Sequence, residues 1–340
     1  MLVLAIESSC DETAAAVVRD GREVLSNIVA SQVAVHAEYG GVVPEIASRR
    51  HLETISLVID EALAQASVSI SDVEGVAVTQ GPGLAGALLV GIAAAKGIAY
   101  GTGRPIVGVN HIEGHLLAIF LERPVEFPFL ALAVSGGHTH LYRVDGIGRY
   151  HTLGQTIDDA AGEAFDKVGK LLGIPYPGGA VIDRLAHKGD PSRYKFPRPL
   201  LHDGSFNFSF SGLKTAVLHQ LQKAPLGDGE GPLADLASSF QAAVCDVLVA
   251  KTAAAIDITG IRRLVVAGGV ACNSGLRREM TRMADAKGVA LHLPSPALCA
   301  DNAAMIAVPG DYYLGRGVTG ALDFDALPVW PLDSLAARLG

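Results

Sequence analysis

Residues 2–25 read LVLAIESSCDETAAAVVRDGREVL, and the prediction of the fold starts from this segment. Its apolar segments LVLAIES, AAAVVR and REVL are separated by the polar turns SCDET and DG, a pattern typical of strands joined by tight turns. Residues 129–155 repeat the pattern, with FLALAVS, HLYRV and RYHTLGQ separated by GGHT and DGIG. We therefore predict that each half of the chain opens with a β-meander whose first turn is small and polar.

Each half then contains a strand that leads into a glycine turn and a helix. The first strand is residues 76–79, followed by QGPG and a helix to about residue 100; the second is residues 264–267, followed by GG and a helix from about residue 274. Strands that alternate with helices form layered, mostly parallel α/β domains. The predicted fold class is therefore α/β, a duplicated fold with two domains around a cleft, which is the usual place for a ligand.

Length and composition are those of a globular, two-domain protein: 340 residues, 49% hydrophobic and 18% charged. The longest apolar run, residues 84–100, is interrupted by three glycines and a lysine, so we expect a buried helix rather than a membrane span. The start MLVLAIE lacks the features of a secretory signal, and the four cysteines form no CxxC pair. We expect a cytoplasmic protein with reduced thiols and no membrane partner.

The net charge of −8 argues against binding to nucleic acid through bulk charge. Any contact with RNA would need a local basic patch or the surface of a partner. For each candidate patch the alternative is an ordinary solvated charged face. The candidates are Arg49 with Arg50 and His51, Arg193 with Lys195 and Arg198, and Arg277 with Arg278 and Arg282.

The segment NHIEGH at residues 110–115 is the strongest local signal for chemistry. Asn110 is a good N-cap, and His111 and His115 then lie four residues apart on one helix face, close enough to share a metal ion. Glu113 lies roughly 200° around the helix from His111, badly placed as the base of a metalloprotease. The alternative is that the two histidines only belong to the start of a helix.

Asp301, in the segment CADNAA, is the best candidate for a third metal ligand. It lies just before an expected helix, so an ordinary N-cap is the alternative. Two histidines and one carboxylate would leave positions open for substrate oxygens and would suit Fe(II), Zn or Mn.

Several glycine turns and polar side chains are candidates for contacts with a nucleotide. Glycines allow backbone N–H groups to approach a phosphate closely, although a plain hairpin is the more usual explanation for a turn such as SGGH. Each of the polar candidates has a structural alternative to a contact with the nucleotide. Asn273 could cap a helix, and the acids of 158–167 could complement a helix dipole. Asp11 could close an Asx-turn. The candidates are Asp11, the turn Ser135, Gly136, Gly137 and His138, Asp166, the loop 177–183, and Asn273.

Taken together, ten segments resemble the bacterial tRNA threonylcarbamoyladenosine transferases, a family of the actin-like (sugar kinase and Hsp70-like) ATPase superfamily. They span residues 6 to about 307: IESSCDET, GGVVPEIASRRH, GPGLAGALLVG, NHIEGH, VSGGHTHL, DDAAGEAFDKVGKLLG, YPGG, FSFSGLKTA, VVAGGVACN and CADNAAMIA. The resemblance implies a duplicated actin-like ATPase fold. Its expected first domain is 1–110, with a C-terminal helix over 304–335 packing back on it, and its second domain is 111–303.

The resemblance also implies roles for residues. The positions that match the family's metal ligands are His111, His115 and Asp301, with one divalent metal, Fe(II) favoured and Zn possible. The positions that match its binding site for the adenylated substrate are Val134, Ser135, Gly136, Gly137, His138, Asp166, Gly179, Asp183 and Asn273. No catalytic residue is assigned, and Asp11 is a hypothesis for proton handling.

The implied reaction moves the threonylcarbamoyl group from threonylcarbamoyl-AMP to the N6 amine of the adenosine just 3′ of the anticodon, in tRNAs that read codons beginning with A. The implied partners are tRNA, a metal-free paralogue, a P-loop ATPase and the enzyme that forms the intermediate. An ATP-dependent phosphotransferase of the sugar-kinase type is the alternative, but it would need an acidic residue in both meander turns, and SGGH has none. A binding scaffold without chemistry is a further alternative.

Overall fold

The computed structural model describes residues 1–227 and 229–338. Two five-stranded sheets form its framework. The strands are β1 (Leu2–Glu7), β2 (Glu12–Arg19), β3 (Glu23–Ser31), β4 (Gly75–Gly81), β5 (Ile106–Asn110), β6 (Phe129–Val134), β7 (Thr139–Gly146), β8 (Arg149–Gln155), β9 (Arg263–Ala267) and β10 (Ala290–His292).

Eleven helices lie in the connections between these strands and after the last of them, within the described residues. They are α1 (Val33–Ala37), α2 (Pro44–Ala66), α3 (Ala85–Thr102), α4 (His111–Leu117), α5 (Ala161–Leu171), α6 (Gly178–Ala186), α7 (Ser211–Lys223), α8 (Glu230–Thr259), α9 (Ser274–Lys287), α10 (Pro296–Cys299) and α11 (Ala304–Leu314). Short 3-10 turns at Ile70–Asp72, Ala118–Leu121, Gly269–Cys272 and Leu332–Arg338 complete the elements of the described residues.

Both sheets have the same topology. The first has the strand order β3-β2-β1-β4-β5 and the second β10-β9-β6-β7-β8, which is the same path read from the other edge. In each, the first strand of the meander pairs in parallel with the strand that precedes the glycine turn, β1 with β4 and β6 with β9. The repeated pattern in the sequence therefore reflects a repeated fold, and the prediction of a duplicated α/β architecture is confirmed.

The first sheet is buried on both faces, because alternate residues of its strands point to opposite sides. On one side, Val3 and Ala5 of β1 pack with Met305 and Tyr313 of α11. On the other side, Leu4 and Ile6 belong to a second cluster with the buried positions of α2 and α3. This two-sided burial explains why β1 is a continuous apolar run that ends in the charged residue Glu7.

The chain divides into two compact units. Unit 1 comprises Met1–Phe127, Val144–His151 and Ala297–Gly340, and unit 2 comprises Pro128–Arg143 and Thr152–Pro296. The sequence analysis divided the chain after residue 110, whereas α4 belongs to unit 1. The physical reason is close packing of α4 on α11, since a Cβ added at Gly114 would lie 2.8 Å from Cδ1 of Ile306.

The expected C-terminal helix over 304–335 is wrong in its extent, because α11 ends at Leu314. Gly317 adopts a left-handed φ of 73°, and the amides of Gly317 and Val318 donate to the carbonyls of Leu314 and Tyr313. A glycine in this conformation terminates a helix. The following residues run as an irregular segment, which donates from Leu327 N to the carbonyl of Gln80.

Within the described residues, α3 is the one helix long and apolar enough to cross a membrane by length and composition, and 33% of it is buried. A core helix of a globular protein meets the same criteria. In unit 1, Leu88, Ile92 and Ala95 of α3 belong to the cluster on one face of the first sheet. The contacts of α3 are therefore those of a core helix.

The predicted helix over 158–167 begins later than expected, at Ala161. Asp158 instead accepts hydrogen bonds from the hydroxyls of Ser209 and Ser211 and from the amide of Phe210, at the start of α7. These donors hold the pKa of Asp158 below its usual range, against the effect of its partial burial. Asp158 thus caps a helix that is distant in sequence.

Candidate metal centre

The end of β5 places α4 and its histidines inside unit 1. Asn110 is the N-cap that the sequence predicts, and its Oδ1 accepts from the amides of Ile112, at 2.9 Å, and Glu113, at 3.3 Å. Its Nδ2 donates to the carbonyl of Trp330. Every residue of α4 is buried, so the two histidines point into a protein interior rather than into solvent.

The structure brings His111, His115 and Asp301 together. Nε2 of His115 lies 3.0 Å from Oδ1 of Asp301, and Nε2 of His111 lies 3.7 Å from the same oxygen. The two rings meet edge to face with their centroids 4.7 Å apart. One ligand atom from each residue lies within 4.8 Å of the others, a spacing that suits a single metal ion. We call these three residues the His–His–Asp group.

Glu7, the last residue of β1, contacts the ring of His111 at Nδ1. Oε2 of Glu7 lies 3.0 Å from Nδ1 of His111, and Oγ of Ser9 lies 3.1 Å from the same nitrogen. Burial alone would lower the pKa of His111, but the carboxylates of Glu7 and Asp301 raise it to about 9. Burial of Glu7 would raise the pKa of its carboxyl, but the imidazolium of His111 holds that pKa below its usual range. Without a metal, the two residues therefore form a buried ion pair.

Further carboxylates lie in the turn that follows Glu7. Burial, together with the charges of Asp11 and Asp301, raises the pKa of Glu12 to about 9, so Glu12 is protonated at neutral pH. Burial and the same two aspartates also raise the pKa of the Cys10 thiol well above its usual range. Asp11, the sequence candidate for proton handling, is 8% exposed in this acidic surrounding.

These residues fit a divalent cation. The donor set is two imidazoles and one carboxylate, which binds first-row transition metals. Nε2 of each imidazole lies toward Oδ1 of Asp301, so the three donors converge on one position. Burial is the main cause of the raised pKa of Glu12, and the carboxylates of Asp11 and Asp301 raise it further; a cation would offset the charge of these two.

The helical position of Glu113 predicted that it cannot act as the base of a metalloprotease, and the structure agrees. It is fully buried, and its Oε1 accepts from Gly148 N, Tyr150 OH and Tyr313 OH at 3.1, 2.7 and 2.8 Å. Burial and the charge of Glu113 raise the pKa of Tyr150 well above its usual range. The role of Glu113 is therefore to tie α4 to α11 and to the turn between β7 and β8.

The predicted substrate-binding turn lies in unit 2, after β6. The amide of Ser135 donates to the carbonyl of His138, and the amide of His138 donates to Oγ of Ser135, so the turn is a closed hairpin. Gly136 and Gly137 have open space where a Cβ would be. Val134 is buried, and a Cβ on Gly268 would lie 2.5 Å from its carbonyl oxygen. The two glycine turns of unit 2 are thus neighbours.

The other predicted binding residues of unit 2 have local partners. Oδ1 of Asp166 accepts from Gly178 N, beside Gly179, at the start of α6. Asp183 accepts from both the amide and the hydroxyl of Ser274. Asn273 caps α9 through Leu276 N and donates to Gln241. Asp183 and Asn273 therefore lie together at the start of α9, and Asp166 lies with Gly179.

Several of the proposed RNA contacts are structural instead. His51 is fully buried and bonds to Thr13 Oγ1 and to the carbonyl of Cys10. Arg277 donates to the carbonyls of Ala271 and Pro294. Four further arginines pair with neighbouring acids: Arg50 with Glu53, Arg198 with Asp246, and Arg278 and Arg282 with Glu279. These pairs reduce the basic surface that the sequence suggested.

Sequence reasoning missed Glu7, Ser9, Thr79 and Glu12 as parts of this site. Glu7 carried a signal, since a charged residue that ends a continuous apolar strand is buried only where it has partners. One partner, Thr79, is on β4, which pairs in parallel with β1. That pairing was not assigned from the sequence.

Comparison with known proteins decides the family. The sequence model of the family described as "tRNA N6-adenosine threonylcarbamoyltransferase" matches residues 23–308, which are most of the chain. The protein of that name from Geobacter sp. (strain M21) is 75% identical over 339 residues, which cover 100% of this chain and 99% of its own length. The chain belongs to the tRNA N6-adenosine threonylcarbamoyltransferase family. The proteins of that name from Geobacter sulfurreducens and Syntrophotalea carbinolica are 70% and 62% identical, over 99% and 98% of this chain.

Solved structures show the fold of this threonylcarbamoyltransferase family member. Full-length HypF, in a phosphate- and nucleotide-bound form, has a TM-score of 0.60 at 13% identity and covers 94% of this chain and 47% of its own. Component A of the (R)-2-hydroxyglutaryl-CoA dehydratase of Acidaminococcus fermentans has a TM-score of 0.57 at 16% identity, over 93% of this chain and 99% of its own. With the repeated topology, these likenesses confirm the duplicated actin-like fold. Nothing in the comparisons supports the sugar-kinase alternative.

Proposed function

We propose that this protein transfers the threonylcarbamoyl group from threonylcarbamoyl-AMP to the N6 amine of the adenosine just 3′ of the anticodon, in tRNAs that read codons beginning with A. The observation that carries the proposal is the convergence of His111, His115 and Asp301 in a chain that matches the threonylcarbamoyltransferase family over residues 23–308. The N6–carbonyl bond forms, the bond from the carbonyl carbon to the phosphate oxygen breaks, AMP leaves, and the amine loses one proton.

His111, His115 and Asp301 would hold one divalent metal, with Fe(II) favoured and Zn possible. Such an ion, when bound, polarises substrate oxygens and stabilises charge that develops on them. The exocyclic amine of adenosine is a weak nucleophile, so activation of the carbonyl group matters more than activation of the amine. Because α4 is fully buried around the histidines, the protein also excludes water from their inner side.

The residues of unit 2 are proposed to bind the adenylate. The exposed glycines of the turn Ser135–His138 leave the backbone open to a phosphate. Asp183 and Asn273 lie together at the start of α9, and Asp166 and Gly179 lie together at the start of α6. Carboxylate and amide side chains at these positions suit ribose hydroxyls and base edges.

Asp11 is the proposed acceptor for the proton that the amine loses. Its neighbour Glu12 is protonated at neutral pH and so is not a base there. An Asp11→Ala enzyme that transfers at the rate of the wild type would remove Asp11 from this role.

The proposed partners are tRNA, a metal-free paralogue, a P-loop ATPase and the enzyme that makes the intermediate, all in the cytoplasm. Two observations support a shared RNA surface. The net charge is −8, and several of the arginines that could contact RNA are paired with acids. An anticodon-loop base is unpaired and can leave its stack without disrupting a duplex.

The test is transfer of label from threonylcarbamoyl-AMP to a tRNA transcript, with the proposed partners present. Parallel reactions use metal-stripped protein and a His111→Ala, His115→Ala double variant. Label on the tRNA with the metal-replete wild type, lost in both parallel reactions, supports the proposal. A metal-replete complex that transfers no label contradicts it, and ATP-dependent phosphorylation of a sugar is then the assay to run.

A further inference from the structure

We infer that Glu7 is the positioning residue of the metal centre: it holds the proton of His111 on Nδ1 and so leaves Nε2 free to bind a cation. The inference deepens the proposed function and rests on it for the role of the metal, but its evidence is the contacts of β1, β4 and α4.

The two histidines of the site differ in what supports them. Nδ1 of His111 has two neighbours, Oε2 of Glu7 at 3.0 Å and Oγ of Ser9 at 3.1 Å. Nδ1 of His115 has no hydrogen-bond partner among residues 1–227 and 229–338. The nitrogen that ligates a metal is set by the hydrogen bond that the other nitrogen makes. The structure therefore controls the tautomer of His111 and leaves that of His115 unsupported.

Of the two neighbours of His111, Glu7 alone dictates where the proton lies. A serine hydroxyl both donates and accepts, so Ser9 is compatible with either tautomer. An ionised carboxylate only accepts, so Nδ1 of His111 must carry a hydrogen. In the neutral imidazole, the lone pair is then on Nε2, the nitrogen that lies 3.7 Å from Oδ1 of Asp301.

Glu7 is itself fixed in position and in its ionised form. It is fully buried, and a buried carboxylate needs donors around it. Thr79 Oγ1 donates to Oε2 at 2.6 Å, and the amide of Ser9 donates to Oε1 at 2.5 Å. Because Thr79 is on β4, beside β1 in the sheet, the support of His111 belongs to the rigid core of unit 1.

The test measures the affinity of the full-length protein for Zn²⁺ alone, by competition with a chromophoric chelator at fixed pH. We expect Glu7→Gln to weaken binding by about 10- to 100-fold, the usual effect of losing a partner behind a metal ligand. Thr79→Val removes one donor to Glu7 without changing the size of the side chain, and about a 3-fold loss is expected; Thr79→Ser, which restores the hydroxyl, should return the affinity to that of the wild type. Glu53→Gln changes an exposed carboxylate of unit 1 and is the matched control.

A second readout separates positioning from a merely structural role. In protein labelled with ¹⁵N-histidine, the ligand histidines are the ones whose Nε2 signals shift on addition of Zn²⁺. In the wild type, we expect one of them to show a protonated Nδ1 in a strong hydrogen bond, and we expect Glu7→Gln to weaken that bond. Thermal unfolding checks that each variant folds. If Glu7→Gln does not fold, the Zn²⁺ affinities of Thr79→Val and Thr79→Ser test the inference instead.

Unchanged Zn²⁺ affinity in a folded Glu7→Gln protein, or in Thr79→Val where Glu7→Gln does not fold, would overturn the inference. So would a neutral His111 ring whose one proton lies on Nε2. Neither experiment uses tRNA, so the two proposals fail separately. If label is transferred but the Glu7 and Thr79 variants bind Zn²⁺ as tightly as the wild type, only the positioning role is contradicted. If the variants bind Zn²⁺ more weakly but no label is transferred, the proposed reaction is contradicted and the role of Glu7 stands.

Discussion

Two clusters of polar side chains differ in how their hydrogen-bonding groups are arranged. One is the His–His–Asp group of unit 1, and the other lies at the start of α9 in unit 2. In unit 2, both oxygens of Asp183 accept from Ser274, and Oδ1 of Asn273 accepts from Leu276 N. These contacts complete the first turn of a helix without any ligand. In unit 1, ring nitrogens of His111 and His115 both face one oxygen of Asp301.

The difference shows how far local structure explains a polar cluster. Helix capping accounts for Asn273 in full, because its oxygen satisfies an amide that has no partner inside the helix. In unit 1, hydrogen bonds pair His115 with Asp301 and His111 with Glu7, but these pairs do not explain why Nε2 of both rings lies toward the same oxygen. A cation bound between the rings would explain this convergence, and so we propose unit 1 as the region whose chemistry depends on a ligand.

The largest effect expected is that pH changes the stability of the metal-stripped protein through unit 1. His111 has a folded-state pKa of about 9 against an ordinary 6.5, so between these values the folded chain keeps a proton that the unfolded chain has released. The free energy of unfolding therefore falls as pH rises from 6.5 to 9, by on the order of 3 kcal/mol for a shift of this size. Glu12, with a pKa of about 9 against 4.5, acts in the same direction.

Urea unfolding at several pH values checks this prediction. The midpoint of the metal-stripped protein should fall between pH 6.5 and 9, and Glu12→Gln should reduce the fall by removing one of the two groups. A midpoint that stays constant over this range would mean that the raised pKa values of the unit 1 site are wrong.

Asp301→Ala is expected to weaken Zn²⁺ binding by more than about 100-fold, because it removes the carboxylate that both histidines face. Asp183→Ala should leave Zn²⁺ binding unchanged, since its partner is Ser274. Chelator competition measures both. Equal losses in the two variants would show that the affinity reports general stability, and the contrast between the two regions would not hold.

Tyr313→Phe should lower the free energy of unfolding by about 2 kcal/mol, since it removes one of three donors to the buried carboxylate of Glu113. Its neighbour Tyr312 stacks its ring on Arg316, a contact that Phe retains. Tyr312→Phe is therefore the matched control, with a change below about 0.5 kcal/mol in the same urea titration. If both variants have the same stability, the Glu113 contacts do not tie α4 to α11.

Patterns that act over a few residues predicted most of the fold and part of the site. Alternating apolar segments and glycine turns predicted both meanders and the strands that follow them. The spacing of four residues predicted the shared face of His111 and His115, and the residue type at 110 predicted the cap of α4. Each depends only on the regular geometry of a helix or strand, which is the same in every protein.

Contacts between residues distant in sequence were not predictable in this way. Glu7 meets His111 because β1 and β5 both flank β4, and no local pattern states that order. The burial of His51 against the turn after β1 has the same origin. Asp301 was a candidate metal ligand on local grounds, where an N-cap explains it equally well, and the family resemblance then favoured the metal.

The smallest effect expected is in unit 2, where Asp183→Ala should lower the free energy of unfolding by about 1 kcal/mol. The change removes the acceptor for Ser274 N and Ser274 Oγ at the start of α9, and the loss of a helix-capping contact has this usual size. Ser274→Ala removes only the hydroxyl and should cost about half as much.

Urea unfolding of both variants, with adenosine monophosphate absent and then present, tests the two roles of Asp183 together. A stabilisation by the nucleotide that the wild type shows and Asp183→Ala lacks would make the carboxylate both a helix cap and a ligand. Equal stabilisation of both proteins would leave it a helix cap alone, and the contrast between a region complete in itself and a region that depends on a ligand would become sharper.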